Sequence, residues 1–216
     1  MTRHVTGPDD AASVRPVPII PTPWWKRTFD IVAAIAALVL MAPVAAVTAA
    51  AIRLLMGNPV IFRQERAGLG GETFCILKFR TLLDSTDAAG NPLPDSERRH
   101  WLGDLLRKTS LDEIPTFVNV IRGDMSVVGP RPLFVRYLER YSDEQAKRHQ
   151  VRPGLTGLAQ TSGRNDVSWD ERFELDLTYI NSMSLLLDLH IVARTFKTVL
   201  RADGADGSVT IGEFGI

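Results

Sequence analysis

Cysteine is almost absent from the sequence, which holds one such residue, Cys75, among 216. A single thiol excludes an intramolecular disulfide and any zinc site built from several cysteines, and it is typical of a reducing compartment. An excess of charge is missing too, because 25 basic residues balance 25 acidic ones. The sequence therefore lacks the basic surplus that indicates a nucleic-acid partner, and the placement of the charges matters more than their sum.

Charged residues are also missing from one long run, between Ile31 and Ile52. As a helix this run would be roughly 33 Å long at ~1.5 Å per residue, against a bilayer core of ~30 Å. Trp24 and Trp25 precede it, where an interfacial aromatic belt would lie, and basic residues flank both ends. The pattern favours membrane insertion over a cleaved signal peptide, whose apolar core is shorter, and over the buried helix of a soluble protein.

Pro43 stands near the middle of this run, where it removes a backbone hydrogen bond and kinks the helix. Because basic residues flank both ends, the positive-inside tendency does not select an orientation. Physical arguments alone leave two alternatives open, a spanning helix and a re-entrant one whose ends share the cytoplasmic face. Residues 24–57 form this membrane segment, and the proline-rich residues 1–23 are expected to be a disordered tail.

After Asn58-Pro59 the pattern changes to that of strands. The stretches VIFRQER and TFCILKFRT flank the glycine-rich AGLGGE, which predicts a β-hairpin. This turn is not a Walker loop, since no Gly-Lys-Ser/Thr follows it. Cys75 lies in the second, apolar strand, and we expect it to be buried and structural.

The C-terminal half is predicted to be mostly helical. Helices are expected over residues 132–141, after capping boxes that begin at Ser142 and Ser168, and over Leu185–Leu200. The segment 151–166 is rich in glycine and polar residues, which indicates a loop. Together with the hairpin, these elements predict an α+β fold that is mainly α.

The stretch RKTSLDEIP places two carboxylates, Asp112 and Glu113, side by side. Helix capping accounts for one acid, because Ser110 and Glu113 have the spacing of a capping box. If Asp112 is the cap instead, Pro115 becomes the third helical residue, where its missing N–H costs nothing. Neither arrangement needs both acids, so a chemical role for the pair competes with a structural one.

Several cations lie near this pair in the sequence. Arg107 and Lys108 precede it by about one helical turn, and Arg131 follows within the stiff turn Gly-Pro-Arg-Pro. Upstream, Lys78 and Arg80 are two residues apart on one face of a strand. An ionised aspartate can attack phosphorus or bind Mg²⁺ while cations offset the charge of a diphosphate.

Five segments in the same order resemble the bacterial sugar transferases, the small monotopic phosphoglycosyl transferases. They cover about residues 26–200 and read KRTFDIV with the apolar run, GNPVIFRQERAGLGGETFCILKFRTL, RKTSLDEIPTFVNVIRGDMSVVGPRP, YSDEQAKRHQVRPGLTGLAQTSGRN and SWDERFELDLTYI. The resemblance implies transfer of a sugar-1-phosphate from a UDP-sugar to polyprenyl (undecaprenyl) phosphate, giving polyprenyl-diphospho-sugar and UMP. It also implies a need for Mg²⁺ and a place at the first membrane step of capsule, O-antigen or exopolysaccharide assembly.

The resemblance also implies roles for individual residues. Asp112 matches the nucleophile, which forms a covalent aspartyl-phosphosugar and is the one protein ligand we assign to the metal. Glu113 matches the second member of the family's dyad, which we expect to assist the acceptor phosphate. Four cations match positions that bind phosphate or substrate: Arg107, Arg131, Lys78 and Arg80.

For the membrane segment the resemblance implies a re-entrant helix bent at a Ser-Pro pair, with both ends cytoplasmic. Here the pair is Ala42-Pro43, so the proline is present and the serine is not. Residues 58–201 are then the catalytic domain, resting through interfacial amphipathic helices on the cytoplasmic face of the bacterial inner membrane. Residues 202–216 form a C-terminal tail.

Two other kinds of protein would share some of these features. A non-catalytic membrane adaptor with the same fold would not release UMP from any UDP-sugar. A soluble nucleotide-binding domain with a buried alanine-rich helix would be extracted without detergent. Glucose, galactose, N-acetylglucosamine and bacillosamine-type sugars all remain open as the transferred group, and a homodimer is compatible with the sequence.

Overall fold

The computed structural model describes residues 17–87, 89–162 and 168–200. The predicted tails therefore lie largely outside the described residues. Within them the chain is mainly helical with two small sheets, which confirms the predicted α+β class. The elements are α1 (Trp24–Leu55), β1 (Ile61–Ala67), β2 (Thr73–Phe79), α2 (Trp101–Lys108), α3 (Thr116–Arg122), β3 (Ser126–Val128), α4 (Asp143–Ala146), β4 (Gly154–Thr156), α5 (Leu158–Thr161), α6 (Trp169–Ser182) and α7 (Leu185–Leu200).

Residues 17–23 belong to the predicted N-terminal tail, and the structure shows them as an extended segment packed on the domain. The Ile20 N–H donates to the carbonyl of Gln150 at 2.9 Å, and the Ile20 side chain lies against the main core. Arg152 donates to the Thr22 hydroxyl. This segment fixes how the chain enters α1.

The helix α1 is the uncharged run that the sequence singles out. It has 32 residues with Pro43 inside, and among the described residues it is the one helix long and apolar enough to cross a membrane. Many of its apolar side chains face outward, and Val39, Leu40 and Val47 are each 70% exposed or more. So much exposed apolar surface on one helix is typical of a membrane contact rather than of a solvated face.

The N-terminal part of α1 is fixed to the domain by buried charges. The Lys26 ammonium donates to Asp188 of α7 at 2.7 Å and lies 3.7 Å from Asp30. Asp30 in turn accepts from the backbone N–H of Val127 and from the Ser126 hydroxyl, both at 2.9 Å. Lys26, Asp30 and Asp188 are almost completely inaccessible to solvent.

The C-terminal part of α1 packs on the same domain. Ile52 and Met56 belong to an apolar cluster from the hairpin, from α2 and from the turn before α3, whose other buried members are Phe79, Leu102, Leu106 and Ile114. Nearer its start, Arg27 donates to the carbonyls of Val120 and Ile121 at the end of α3, each at 2.7 Å. Both ends of α1 therefore contact one folded body.

The predicted hairpin is confirmed. β1 and β2 pair in antiparallel register from Ile61 opposite Phe79 to Ala67 opposite Thr73. The prediction that Cys75 is buried is wrong, because this side chain is exposed. Cys75 pairs with Glu65 on the outer face of a two-stranded ribbon, whereas the neighbouring Ile76 points into the core, as alternation along a strand requires.

A second sheet joins two segments that the sequence does not connect. β3 and β4 are parallel, with Ser126 opposite Gly154 and Val128 opposite Thr156. A Cβ on Gly154 would lie 2.1 Å from the backbone nitrogen of Gly129, so this close approach needs glycine. The prediction of a loop over 151–166 is wrong where β4 and the short helix α5 form.

In the C-terminal half, the structure confirms most of the predicted helices. Ser142 and Gln145 form the expected capping box, Ser168 accepts from the Glu171 N–H, and the last helix has the predicted bounds. The segment predicted as a helix after Pro132 is a 3-10 helix, Val135–Arg140. Its short run and i→i+3 bonding suit a connector better than an α-helix.

Candidate active site

The two adjacent carboxylates lie in a 3-10 turn, Leu111–Glu113, between α2 and α3. Ser110 before it has φ 56°, a left-handed conformation that reverses the chain. The prediction that Ser110 or Asp112 caps the next helix is wrong, because Pro115 occupies that position and no side chain caps α3. Both Asp112 and Glu113 are therefore available for contacts with other parts of the protein.

Lys78, near the end of β2, bridges the two carboxylates. Its Nζ donates to Glu113 Oε1 at 2.5 Å and lies 3.7 Å from Asp112 Oδ2. All three side chains are largely buried, with exposed fractions of 21% for Lys78, 24% for Glu113 and 11% for Asp112. Water screens these contacts less than it would at the surface.

Two polar residues of α3 fix the helix against β2. The Thr116 hydroxyl donates to the carbonyl of Leu77 at 2.7 Å. Asn119 accepts from the Leu77 N–H at 3.0 Å and donates to the carbonyl of Cys75 at 2.8 Å. Neither residue is predicted from the sequence as part of the site, although two polar side chains spaced by three in an otherwise apolar helix are a signal that could have identified them. They set the distance between Lys78 and the carboxylates.

Arg131 is the second cation at the pair, with its Nη2 3.9 Å from Glu113 Oε1 and its side chain half exposed. The backbone of Arg131 is fixed by buried Arg148, which donates to the Arg131 carbonyl at 2.9 Å. Arg148 also makes two bonds to Asp176, at 2.7 and 3.1 Å. The backbone of Arg131 is thus fixed while its guanidinium can reach a ligand.

The surroundings shift the two carboxyl groups in opposite directions. Burial raises the pKa of Asp112 to about 6, because the Lys78 cation only partly offsets the loss of solvation and the Glu113 charge adds to it. Burial acts on Glu113 in the same sense, but Lys78 and Arg131 outweigh it and hold the pKa of Glu113 below its usual range. Because the two pKa values are shifted apart, Glu113 is ionised at lower pH than Asp112. Asp112 changes its protonation near pH 6.

The other two predicted phosphate ligands lie apart from these contacts. Both terminal nitrogens of Arg80 donate to backbone carbonyls, those of Asn58 and Met56, just after α1. Arg107 donates to Asp104 on its own helix at 2.6 Å. The structure therefore groups Lys78 and Arg131 with the carboxylates, whereas Arg80 ties the end of α1 to the hairpin.

A dedicated metal cage of three or more acidic, histidine or cysteine side chains does not occur in the described parts of the chain. Mg²⁺ does not need one, since it is often held by one or two carboxylates together with substrate phosphates. Glu113 is engaged by Lys78, whereas Asp112 makes no contact closer than 3.7 Å with that cation. The donor set thus fits an Mg²⁺ ion that arrives with a diphosphate.

Comparison with known proteins shows a consistent set of relatives. The bacterial sugar transferase family model matches residues 22–202. The uncharacterized sugar transferase EpsL of Bacillus subtilis (strain 168) is 48% identical over 83% of this chain and 89% of its own length. The UDP-glucose:undecaprenyl-phosphate glucose-1-phosphate transferase of Caulobacter vibrioides is 42% identical over 88% of this chain and 75% of its own.

A third relative is longer than this chain. The undecaprenyl-phosphate galactose phosphotransferase of Salmonella typhimurium is 39% identical over 83% of this chain but only 41% of its own length. The match nevertheless includes most of the chain described above. The protein therefore belongs to the bacterial sugar transferase family and is a transferase.

Proposed function

We propose that the protein transfers a sugar-1-phosphate from a UDP-sugar to polyprenyl phosphate, and so starts the assembly of a surface glycan. The observation that carries the proposal is the buried Asp112 carboxylate beside Glu113, with Lys78 and Arg131 around the pair. A carboxylate can attack phosphorus there while the cations offset phosphate charge. The relatives named for undecaprenyl-phosphate glucose and galactose transfer support this class of acceptor.

The reaction proceeds in two displacements at one phosphorus atom. An Asp112 carboxylate oxygen forms a bond to the sugar-bearing phosphorus, and the bond from that phosphorus to UMP breaks. An oxygen of the acceptor phosphate then attacks the same phosphorus, and the Asp112 carboxylate leaves unchanged. Lys78 orients both members of the pair, and Glu113 positions the acceptor phosphate through Arg131. When bound, Mg²⁺ at Asp112 would offset the charge of the diphosphate.

The membrane segment is proposed to be re-entrant. The observation that supports this is that both ends of α1, at Lys26 and at Ile52, contact the same domain. A spanning helix would separate its ends by the ~30 Å thickness of the bilayer core, and a single domain on one side could not contact both. Pro43 lies inside α1, where its missing N–H removes a backbone hydrogen bond, and would be the bend of the re-entrant segment. A domain on the cytoplasmic face of the inner membrane would keep the basic flanks of α1 on the side that they favour.

A UMP-release assay with the detergent-purified chain tests the function. UDP-glucose, UDP-galactose and UDP-N-acetylglucosamine are supplied with Mg²⁺, with and without undecaprenyl phosphate. We expect one sugar nucleotide to give a burst of about one UMP per enzyme without acceptor and sustained turnover with it. Absence of UMP from a wider panel of UDP-sugars would favour the adaptor alternative.

The pH dependence follows from the raised pKa of Asp112, since only the ionised carboxylate can attack. We expect kcat/KM for the donor to fall tenfold per pH unit below about 6 and to be flat above it. Lys78→Met removes the cation that lowers this pKa, so its acidic limb should lie at a higher pH than that of the wild type. An unchanged limb in the variant would contradict the assignment of the limb to Asp112.

A further inference from the structure

Arg66, near the end of β1, is a partly buried cation that has no role in the proposed two-displacement reaction. Its guanidinium lies 3.8 Å from the ring centroid of Phe134. One terminal nitrogen donates to the side chain of Gln64 at 2.6 Å, and the other is 3.5 Å from the carbonyl of Pro132. These contacts hold the group over the Phe134 ring and beside the carbonyl of Pro132, the residue after Arg131.

The charge of Arg66 is not neutralised by any carboxylate among the described residues. Its partners there are a neutral amide and a backbone carbonyl, and its Nε is buried without a hydrogen-bond partner. Burial, together with the nearby cation of Arg131, lowers the pKa of Arg66 to about 10. Because buried charges in proteins are normally paired, this arrangement indicates a site that an anion completes.

Arg66 also lies on the same side of the hairpin as the carboxylate pair. Phe62 faces Lys78 and Phe74 faces Arg66 across the two strands, so Lys78 and Arg66 share a face four residues apart. At ~3.3 Å per residue this is an offset of about 13 Å along the hairpin, which two long side chains can span around one phosphate-bearing ligand. Arg131 is near both, since its guanidinium is 3.9 Å from Glu113 and its cation is close enough to lower the pKa of Arg66.

We propose that Arg66 and Arg131 form a monophosphate subsite that holds the phosphate of departing UMP and then the phosphate of the incoming acceptor. The proposal rests on the two-displacement reaction proposed above. In that reaction UMP leaves opposite the attacking Asp112, and the acceptor attacks opposite the departing Asp112. Both phosphates therefore pass through one position, and a fixed pair of guanidinium groups there serves both half-reactions.

Binding and inhibition by UMP provide the test, with the full chain in detergent. Arg66→Gln is expected to bind UMP about 10- to 100-fold more weakly, the range for loss of a charge-assisted hydrogen bond. The KM for undecaprenyl phosphate should rise by a similar factor, and Arg66→Lys should lie between. The matched control is Arg63→Gln, which removes an exposed cation from the opposite face of the same strand.

Thermal unfolding without ligand separates binding from a structural role. Because Arg66→Gln removes an unpaired cation, its unfolding temperature is expected to equal or exceed that of the wild type. A lower unfolding temperature with unchanged UMP affinity would overturn the subsite, and so would a loss of UMP affinity with an unchanged acceptor KM.

UMP binding needs no turnover, so the subsite and the proposed function can fail separately. A wild type that binds UMP through Arg66 but releases none from UDP-sugars would refute the proposed function alone.

Discussion

Asp112→Asn is expected to lower the rate of UMP release by at least about a thousandfold, because the amide has no charge with which to attack phosphorus. The burst of UMP in the absence of acceptor should disappear as well, since no covalent intermediate can form. Asp95→Asn is the matched control, as Asp95 is a highly exposed aspartate at the start of the short 3-10 helix before α2. Near wild-type turnover of Asp112→Asn would refute the nucleophile assignment.

The same substitution is expected to leave the fold at least as stable. The pKa of Asp112 is raised in the folded state to about 6, so ionisation of this group costs stability as the pH rises from about 4 through 6. Above pH 6 this shift lowers the free energy of unfolding by at most about 3 kcal/mol. Asn does not ionise, so the variant does not lose this stability. We expect the unfolding temperature of the variant to exceed that of the wild type at pH 7.5 and to approach it at pH 4.

Lys26→Met is expected to lower the free energy of unfolding by about 3–5 kcal/mol, the range for breaking a buried ion pair. The Lys26 ammonium is the cation within 4 Å of both Asp30 and Asp188, and the three side chains are almost fully buried. Removing it leaves two carboxylates in a site of low polarity. Burial raises the pKa of Asp188, so protonation of this carboxyl can relieve part of the cost, and the loss should be smaller at pH 5 than at pH 8.

The control for this variant is Lys147→Met, which removes a surface pair of similar geometry. Lys147 donates to Glu144 at 2.5 Å, but both side chains are about half exposed or more. Such pairs contribute about 0–1 kcal/mol. The double variant Lys26→Met with Asp188→Asn should recover part of the lost stability. A loss for Lys26→Met no larger than that of Lys147→Met would show that burial does not strengthen this contact.

Much of the local structure could be predicted from the sequence because its causes are local. Alternation and a glycine-rich turn predict the hairpin, and Ser142 with Gln145 predicts a capping box that the structure contains. The uncharged run predicts the long apolar helix. The errors arise where the environment is set by distant residues: Cys75 is apolar in character, but in the described part of the chain its side chain is exposed on the face of the ribbon opposite Ile76.

The candidate site divides in the same way. The sequence by itself determined that two carboxylates are adjacent, since bonded neighbours cannot separate, and that Arg107 and Lys108 precede them by about one helical turn. Only the tertiary structure decided which cations meet the pair. Lys78 is 35 residues from Glu113 but contacts it, because Thr116 and Asn119 fix α3 on β2. Arg80 is two residues after Lys78, yet it donates to the carbonyl of Met56 at the end of α1.

The parallel pairing of β3 with β4 and the contact of Lys26 with Asp188, 162 residues away, likewise depend on how the elements pack. The sequence by itself determines which ionisable and polar groups the protein has. The raised pKa of Asp112, the pairing of Arg148 with Asp176 and the unpartnered Nε of Arg66 depend on which residues bury each group, and no local pattern encodes that.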